Sequence, residues 1–192
     1  MNLLTPFRRA ACLFAVVCLA LAFPAAAVWA SIDGTTSIQF QINDRRTVGL
    51  NSGVNISINP TPSVTFANGS GANQANQLYQ ATRTFSGTTD TLQVSSAGSL
   101  KDSYGTAVAL VRIKAVYVQN TGTSSITIGG GSSPVTTLLN STGTVTLPAG
   151  GFAVFVTPDA TGWTVTASTA DTITVTGTSG QTYSVGILGA TS

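Results

Sequence analysis

The chain has 192 residues, enough for one domain with an appendage, and only 7% of them are charged, against roughly 25% in an average soluble protein. It has no His and no Glu, its six acids are all Asp, and both cysteines, Cys12 and Cys18, lie in the N-terminal stretch beside Arg8 and Arg9. Setting Arg8 and Arg9 aside leaves six of the eight basic residues against six Asp, so the body from residue 31 onward is neutral and free of thiols. Without Cys, His or Glu such a body has no zinc site, no Cys nucleophile, no Ser-His-Asp triad and no Glu pair. Without a basic surplus it has no electrostatic footprint for nucleic acid. The composition describes a non-enzymatic, Thr/Ser/Gly-rich body, and no catalytic, cofactor-binding or metal-ligating residue is assigned.

Residues 1–30 read as a targeting or anchoring element that forms a hydrophobic helical segment. Arg8 and Arg9 make a positive n-region, Ala10–Phe23 is an unbroken apolar run, and small residues follow Pro24. Cleavage as a signal peptide fits after Ala27 or Ala30. An uncleaved anchor fits equally well in length, because Ala10–Ala30 is 21 residues and about 20 span a bilayer. The Arg pair would then stay cytoplasmic. A start placed too far upstream is the third alternative, and the three stay open.

From residue 31 no helical period is sustained, and short alternating segments recur instead. Ile38, Phe40 and Ile42 alternate with polar residues, as do Val54, Ile56 and Ile58. Residues 43–106 are otherwise less regular. Gly69–Gln80 is rich in Asn and Gln and is expected to be a loop with one short turn at Asn76–Gln80. Thr89–Val94 is the next expected strand, and Tyr104-Gly105 closes a turn before the longest run, Val108–Val118.

That run is expected to be the central strand. A strict period of two places Val111, Ile113, Ala115 and Tyr117 on one face, with Arg112 and Lys114 sharing the other with Leu110, Val116 and Val118. Ile126–Ile128, Val145–Leu147, Phe152–Val156, Trp163–Ala167, Ile173–Val175 and Tyr183–Leu188 complete the series. Turn signals separate them at Asn120-Thr121-Gly122, Gly129-Gly130-Gly131, Pro148-Ala149-Gly150-Gly151, Pro158-Asp159 and Thr178-Ser179-Gly180. Many short strands at spacings of about ten residues predict an all-β fold, an antiparallel β-sandwich of jelly-roll-like kind, as a single domain over 31–192. Trp163, Phe155, Ile113 and Tyr117 are expected in its core.

Candidate chemistry is sparse. Gly129-Gly130-Gly131-Ser132-Ser133 follows a strand, but no Lys-Ser/Thr and no helix follow it, so a hairpin loop is favoured over a phosphate cradle. Asp33, Asp44, Asp90, Asp102, Asp159 and Asp171 are scattered and adjoin turns or strand starts. Asp159 reads as a turn residue whose carboxylate bonds the backbone. No clustered Asp-x-Asp calcium pattern occurs. The sequons at Asn55, Asn68 and Asn140 are expected by chance in a chain this rich in Ser, Thr and Asn.

The order of motifs from about Phe66 onward resembles a family of small bacteriophage proteins regarded as virion-associated. It lies in Asn68–Gln77, Thr82-Arg83-Thr84, Leu100–Gly105, Ile113–Thr121, Leu147–Gly151, Pro158–Val165 and Tyr183–Gly189. The resemblance implies a β-sandwich structural protein of a phage particle, a capsid decoration or a tail or fibre part, with no enzymatic activity. Residues 1–30 depart from that pattern, since a virion protein assembled in the cytoplasm needs no signal.

Two functions follow. The first is a structural virion component that joins copies of itself, a trimer favoured, and other virion proteins through charge-poor surfaces. The second is a secreted or cell-surface β-sandwich module, an adhesin or carbohydrate-binding domain, which the leader supports. For that module Trp163 is the candidate sugar platform, although its alternation with Val165 and Ala167 favours a core anchor. Membrane contact is expected only through residues 10–30.

Overall fold

The computed structural model describes residues 34–37, 42–48, 52–58 and 62–192, apart from 97 and 99. The expected leader and the positions Ile38 and Phe40 lie outside the described residues. What is described is a mostly antiparallel β fold with little helix. In chain order the strands are β1 (Gly34–Ser37), β2 (Ile42–Val48), β3 (Ser52–Ile58), β4 (Ser63–Asn68), β5 (Gln74–Ala75), β6 (Gln77–Thr84), β7 (Thr89–Gln93), β8 (Arg112–Asn120) and β9 (Ile126–Gly129). A single helical turn, α1 (Thr136–Leu139), precedes β10 (Thr144–Leu147), β11 (Phe152–Val156), β12 (Trp163–Thr164), β13 (Thr172–Thr176) and β14 (Thr182–Ala190).

Two sheets build the core. One has the order β11-β8-β14-β6, with β12 also paired to β8; the other has the order β10-β9-β13-β7. Alternation along each strand sends one set of side chains inward. Tyr79, Val116, Val118, Tyr183, Val185 and Ile187 from the first sheet join Leu92, Ile126, Ile128, Leu147, Ile173 and Val175 from the second in one hydrophobic cluster. Each fully buried aliphatic side chain there contributes about 1.5–3 kcal/mol. β2 and β3 form a separate antiparallel hairpin, and β1-β4-β5 a small third sheet.

The glycine and proline punctuation does what its chemistry predicts at several turns. Asn120 is fully buried, and its Nδ2 donates to Ser124 O at 2.8 Å and Leu147 O at 3.0 Å while its Oδ1 accepts from Gly122 N. One side chain thus ties the β8–β9 turn to the end of β10. Gly129-Gly130-Gly131 opens the 130–143 connection between the paired strands β9 and β10. A Cβ on Gly131 would sit 2.3 Å from Thr174 Oγ1, so close packing explains this glycine. Pro134 makes one parallel bridge to Thr172, and the single turn α1 follows.

Three expectations need correction. Gly69–Gln80 is not a loop with a turn, because β5 and the first half of β6 lie in it. β6 pairs with β14 from Gln77↔Gly189 to Thr84↔Thr182. It escapes a periodicity test because its inward residues are Gln77, Tyr79, Ala81 and Arg83, which are not an apolar row.

The central strand starts at Arg112 rather than Val108, and its faces are not those of a strict period of two. Leu188 pairs with Ala115 but Gly189 pairs with Ile113, so Lys114 is an extra residue in a β-bulge. A bulge shifts the phase by one. Ile113 therefore points inward together with Val116 and Val118, whereas Tyr117 faces outward and is 36% exposed.

The third correction concerns depth. Ile113 is buried as expected, but Phe155 and Trp163 are only partly buried, packed against the edge of the core cluster. Phe155 lies on an edge strand paired only with β8, and Trp163 on the two-residue β12, which pairs with β8 and meets α1 through a Thr137 Oγ1 bond to Thr164 O at 3.4 Å.

Candidate functional site

Two surface features stand out, three uncharged rows of a sheet face and a polar cleft. The outward face of the β11-β8-β14-β6 sheet follows from the pairing register. Its rows across the four strands are Leu78–Leu188–Ala115–Val156, Gln80–Gly186–Tyr117–Val154 and Thr82–Ser184–Gln119–Phe152. No side chain in these rows carries a charge. Phe152 is 58% exposed and Leu78 41% exposed, so large apolar groups meet solvent on this face. Gly186 sits near its middle, and a Cβ there would meet nothing closer than Tyr117 Cβ at 3.9 Å.

The cleft has a volume of about 750 Å³ and runs along β6 and β7, the edge strands of the two sheets. Its walls also include Leu100 and Lys101 of the loop after β7, Ser132 and Ser133 of the loop after β9, and the Ser168–Thr172 turn. Arg83 on β6 grips Asp90 on β7 with two parallel bonds, Nε to Oδ2 at 2.5 Å and Nη2 to Oδ1 at 2.7 Å. The Tyr183 hydroxyl donates to the same Oδ2 at 2.9 Å, and Arg83 Nη1 donates to the Tyr79 hydroxyl at 3.0 Å. Burial would raise the Asp90 carboxyl, but the Arg83 bonds, the Tyr183 hydroxyl and the Arg83 charge outweigh it and hold it below its usual range. Burial, then the Asp90 contact, pushes the Tyr183 phenol well above its usual value.

Asp171 is 1% exposed, and its Oδ2 accepts from Ser95 Oγ at 2.7 Å, Ser168 N at 2.9 Å and Gln93 Nε2 at 3.1 Å. Burial raises this carboxyl too, yet the three donors together keep it below the ordinary value. It is a carboxylate whose charge is already spread over donors of the protein.

Two further acids are structural. Asp102 Oδ1 accepts from Tyr104 N at 2.9 Å and Thr106 N at 2.8 Å. Asp159 is the turn residue its sequence context predicts, with Oδ1 accepting from Thr161 N at 2.6 Å and Gly162 N at 3.2 Å. Those two backbone bonds hold its carboxyl below the usual range. Asp44 lies in β2, and Asp33 is outside the described residues. Among the described residues no three His, Cys, Asp or Glu side chains gather as a metal set, and no helix is long and apolar enough to cross a membrane.

Arg112 and Lys114, the two charges of the central strand, both bond the 157–162 turn. Lys114 is fully buried, and its Nζ donates to the carbonyls of Asp159 and Ala160. Arg112 Nη1 donates to Ala160 O at 2.9 Å. The bulge turns Lys114 toward the 157–162 turn, so two cations clamp one short segment. Burial and the neighbouring Arg112 lower the Lys114 pKa, and Asp159 opposes them. Trp163 stands opposite Ile113 beside this clamp and packs on the core cluster rather than outward as a free platform.

The cleft was not legible in the sequence. It draws on five separated segments, and none carries a motif. The chain matches no known protein-family model, no curated protein and no solved structure.

Proposed function

We propose that this chain is a non-enzymatic structural protein of a bacteriophage particle, a capsid decoration or a tail or fibre component, with a jelly-roll β-sandwich body that assembles with copies of itself and with other virion proteins. The strand orders β6-β14-β8-β11 and β7-β13-β9-β10 support the fold part of this reading. From β6 onward the eight longer strands alternate between the two sheets except at β9–β10, as in two interleaved Greek keys. That architecture serves viral capsid and lectin domains.

The observation that carries the assembly reading is the three uncharged rows of the outward face, with Gly186 near their middle. Glycine inside a strand costs roughly 0.5–1 kcal/mol relative to alanine. At Gly186 a methyl group would fit, so no contact within the chain requires glycine. Close approach of a neighbouring chain does require it. A second copy is the natural occupant, because rows without charge meet their own kind without repulsion.

The test is sedimentation of the purified protein and of Gly186→Val and Tyr117→Lys. The wild type is expected as a defined oligomer, a trimer favoured, that persists in about 1 M salt, where charge pairs are screened within about 3 Å. Both variants should dissociate it while keeping the far-ultraviolet β spectrum. A wild-type monomer throughout the micromolar range would refute self-assembly.

One observation favours the second reading, a secreted or cell-surface module: the leader-like residues 1–30. The N-terminal residue of the native protein discriminates, since cleavage after Ala27 or Ala30 places the protein outside the cell.

A further inference from the structure

We infer that the cleft along β6 and β7 is a binding site for a neutral oligosaccharide, with Tyr104 as its stacking side chain. The inference does not depend on the assembly reading, because the cleft and the uncharged rows of the sheet face are different surfaces. A volume of about 750 Å³ lies within the roughly 300–1,000 Å³ of ordinary ligand clefts.

The charges around it cancel. Arg83 is held by Asp90, and the buried Asp171 by three protein donors. Lys101 is the remaining cation of the lining. Two cations against two carboxylates give an anionic ligand no net attraction, and a cationic ligand none either. What the walls offer instead are hydroxyls and amides, from Thr91, Ser132, Ser133 and Gln93 among others. Groups that both donate and accept match a ligand that itself carries many hydroxyls and no charge.

Tyr104 supplies the second, independent observation. It is 94% exposed, the most exposed of the large apolar side chains among the described residues. Its turn is held in place. The Asp102 carboxylate accepts the Tyr104 and Thr106 backbone N–H groups, Gly105 N donates to Asp102 O at 3.0 Å, and Lys101 bridges Ala107. Gly105 takes a φ of +85°, which glycine adopts without strain. A fixed turn thus holds an aromatic ring in water with nothing of its own chain to cover it. Lys101 lines the cleft and Tyr104 does not, but three residues of chain keep the Tyr104 Cα within about 10 Å of the Lys101 Cα. A phenol ring offers a flat apolar face with a polar tip, which suits the C–H face and hydroxyl rim of a sugar ring.

The test is binding of the purified full chain to an array of neutral oligosaccharides alongside sulfated and phosphorylated ones, followed by calorimetry on the best neutral hit. Saturable binding of a neutral oligosaccharide is expected. It should weaken at least tenfold in Tyr104→Ala, be retained in Tyr104→Phe, and be unchanged in Phe152→Ala on the other face. Tyr104 is so exposed that its replacement leaves the fold intact, and a circular dichroism spectrum checks this. Failure of every neutral glycan to bind, binding of charged glycans alone, or neutral binding indifferent to Tyr104→Ala would each overturn the proposal.

Discussion

Asp90 receives the Arg83 guanidinium edge-on, two nitrogens to two oxygens, while the Tyr183 hydroxyl completes its coordination from the neighbouring strand. The pair joins the edge strands of the two sheets, so its loss acts on both. Hydrogen bonds to charged groups contribute roughly 1.5–3 kcal/mol each at most, and partial exposure of Arg83 reduces this. We expect Asp90→Ala to lower stability by about 2 kcal/mol and Tyr183→Phe by about 1 kcal/mol, read from urea unfolding at fixed slope.

Acid and alkali should act at opposite ends of the pH scale. Asp90 and Asp171 have folded pKa values below the unfolded value of about 3.9. Their stabilisation is therefore complete above about pH 4 and is lost as pH falls through the folded values. Tyr183 is shifted the other way, so its contribution is complete below about pH 10 and is lost above it. With no His or Glu in the chain, Lys114, held below its usual value by burial, is the described side chain that could titrate between these limits, so the melting temperature of Lys114→Met should be flat from roughly pH 5 to 9. A step near neutrality would contradict this assignment.

Lys114 gives a local test. Its ammonium bonds two carbonyls of the 157–162 turn, and methionine keeps the stem but not the donors. We expect Lys114→Met to cost about 2 kcal/mol and to open that turn to limited proteolysis well before global unfolding. Cleavage elsewhere first would show that the clamp does not hold the turn.

Trp163 is a milder case than a central core residue. Phe or Trp to Ala in a full core costs about 3–5 kcal/mol, but Trp163 is only partly buried. We expect about 2 kcal/mol for Trp163→Ala, with no effect on oligosaccharide binding. Loss of binding in that variant would move the sugar platform from Tyr104 to Trp163.

Particular residues show where the sequence is readable. Val185 and Ile187 alternate with Ser184, Gly186 and Leu188 on a strand paired on both sides, and the period of two finds them at once. Tyr117 is misplaced by the same rule, because the bulge at Lys114, which shifts the phase between Ile113 and Tyr117, is created by where β14 pairs, not by any pattern local to β8. β6 is invisible because an edge strand that lines a cleft can use Arg83 and Gln77 where an interior strand would need leucine. Asp159 was legible because an Asx turn is a bond within three residues, whereas Asp171 gathers Gln93, Ser95 and Ser168, two of them more than seventy positions away. Local chemistry is written locally, and sites made by topology are not.

The partnership of β6 with β14 also sets a clock. Thr84 meets Thr182, so about a hundred residues must be synthesised after β6 before its hydrogen-bonding partner exists. At about 5–20 residues per second that is an interval of about 5–20 s, during which the same vacancy stands open beside β8. Strand edges left waiting invite the wrong neighbour. β6 waits with Gln77, Gln80, Thr82 and Arg83 along it, a strand that water can hold. The polarity that conceals this strand from a hydrophobic scan is thus what keeps a nascent chain soluble until its partner leaves the ribosome.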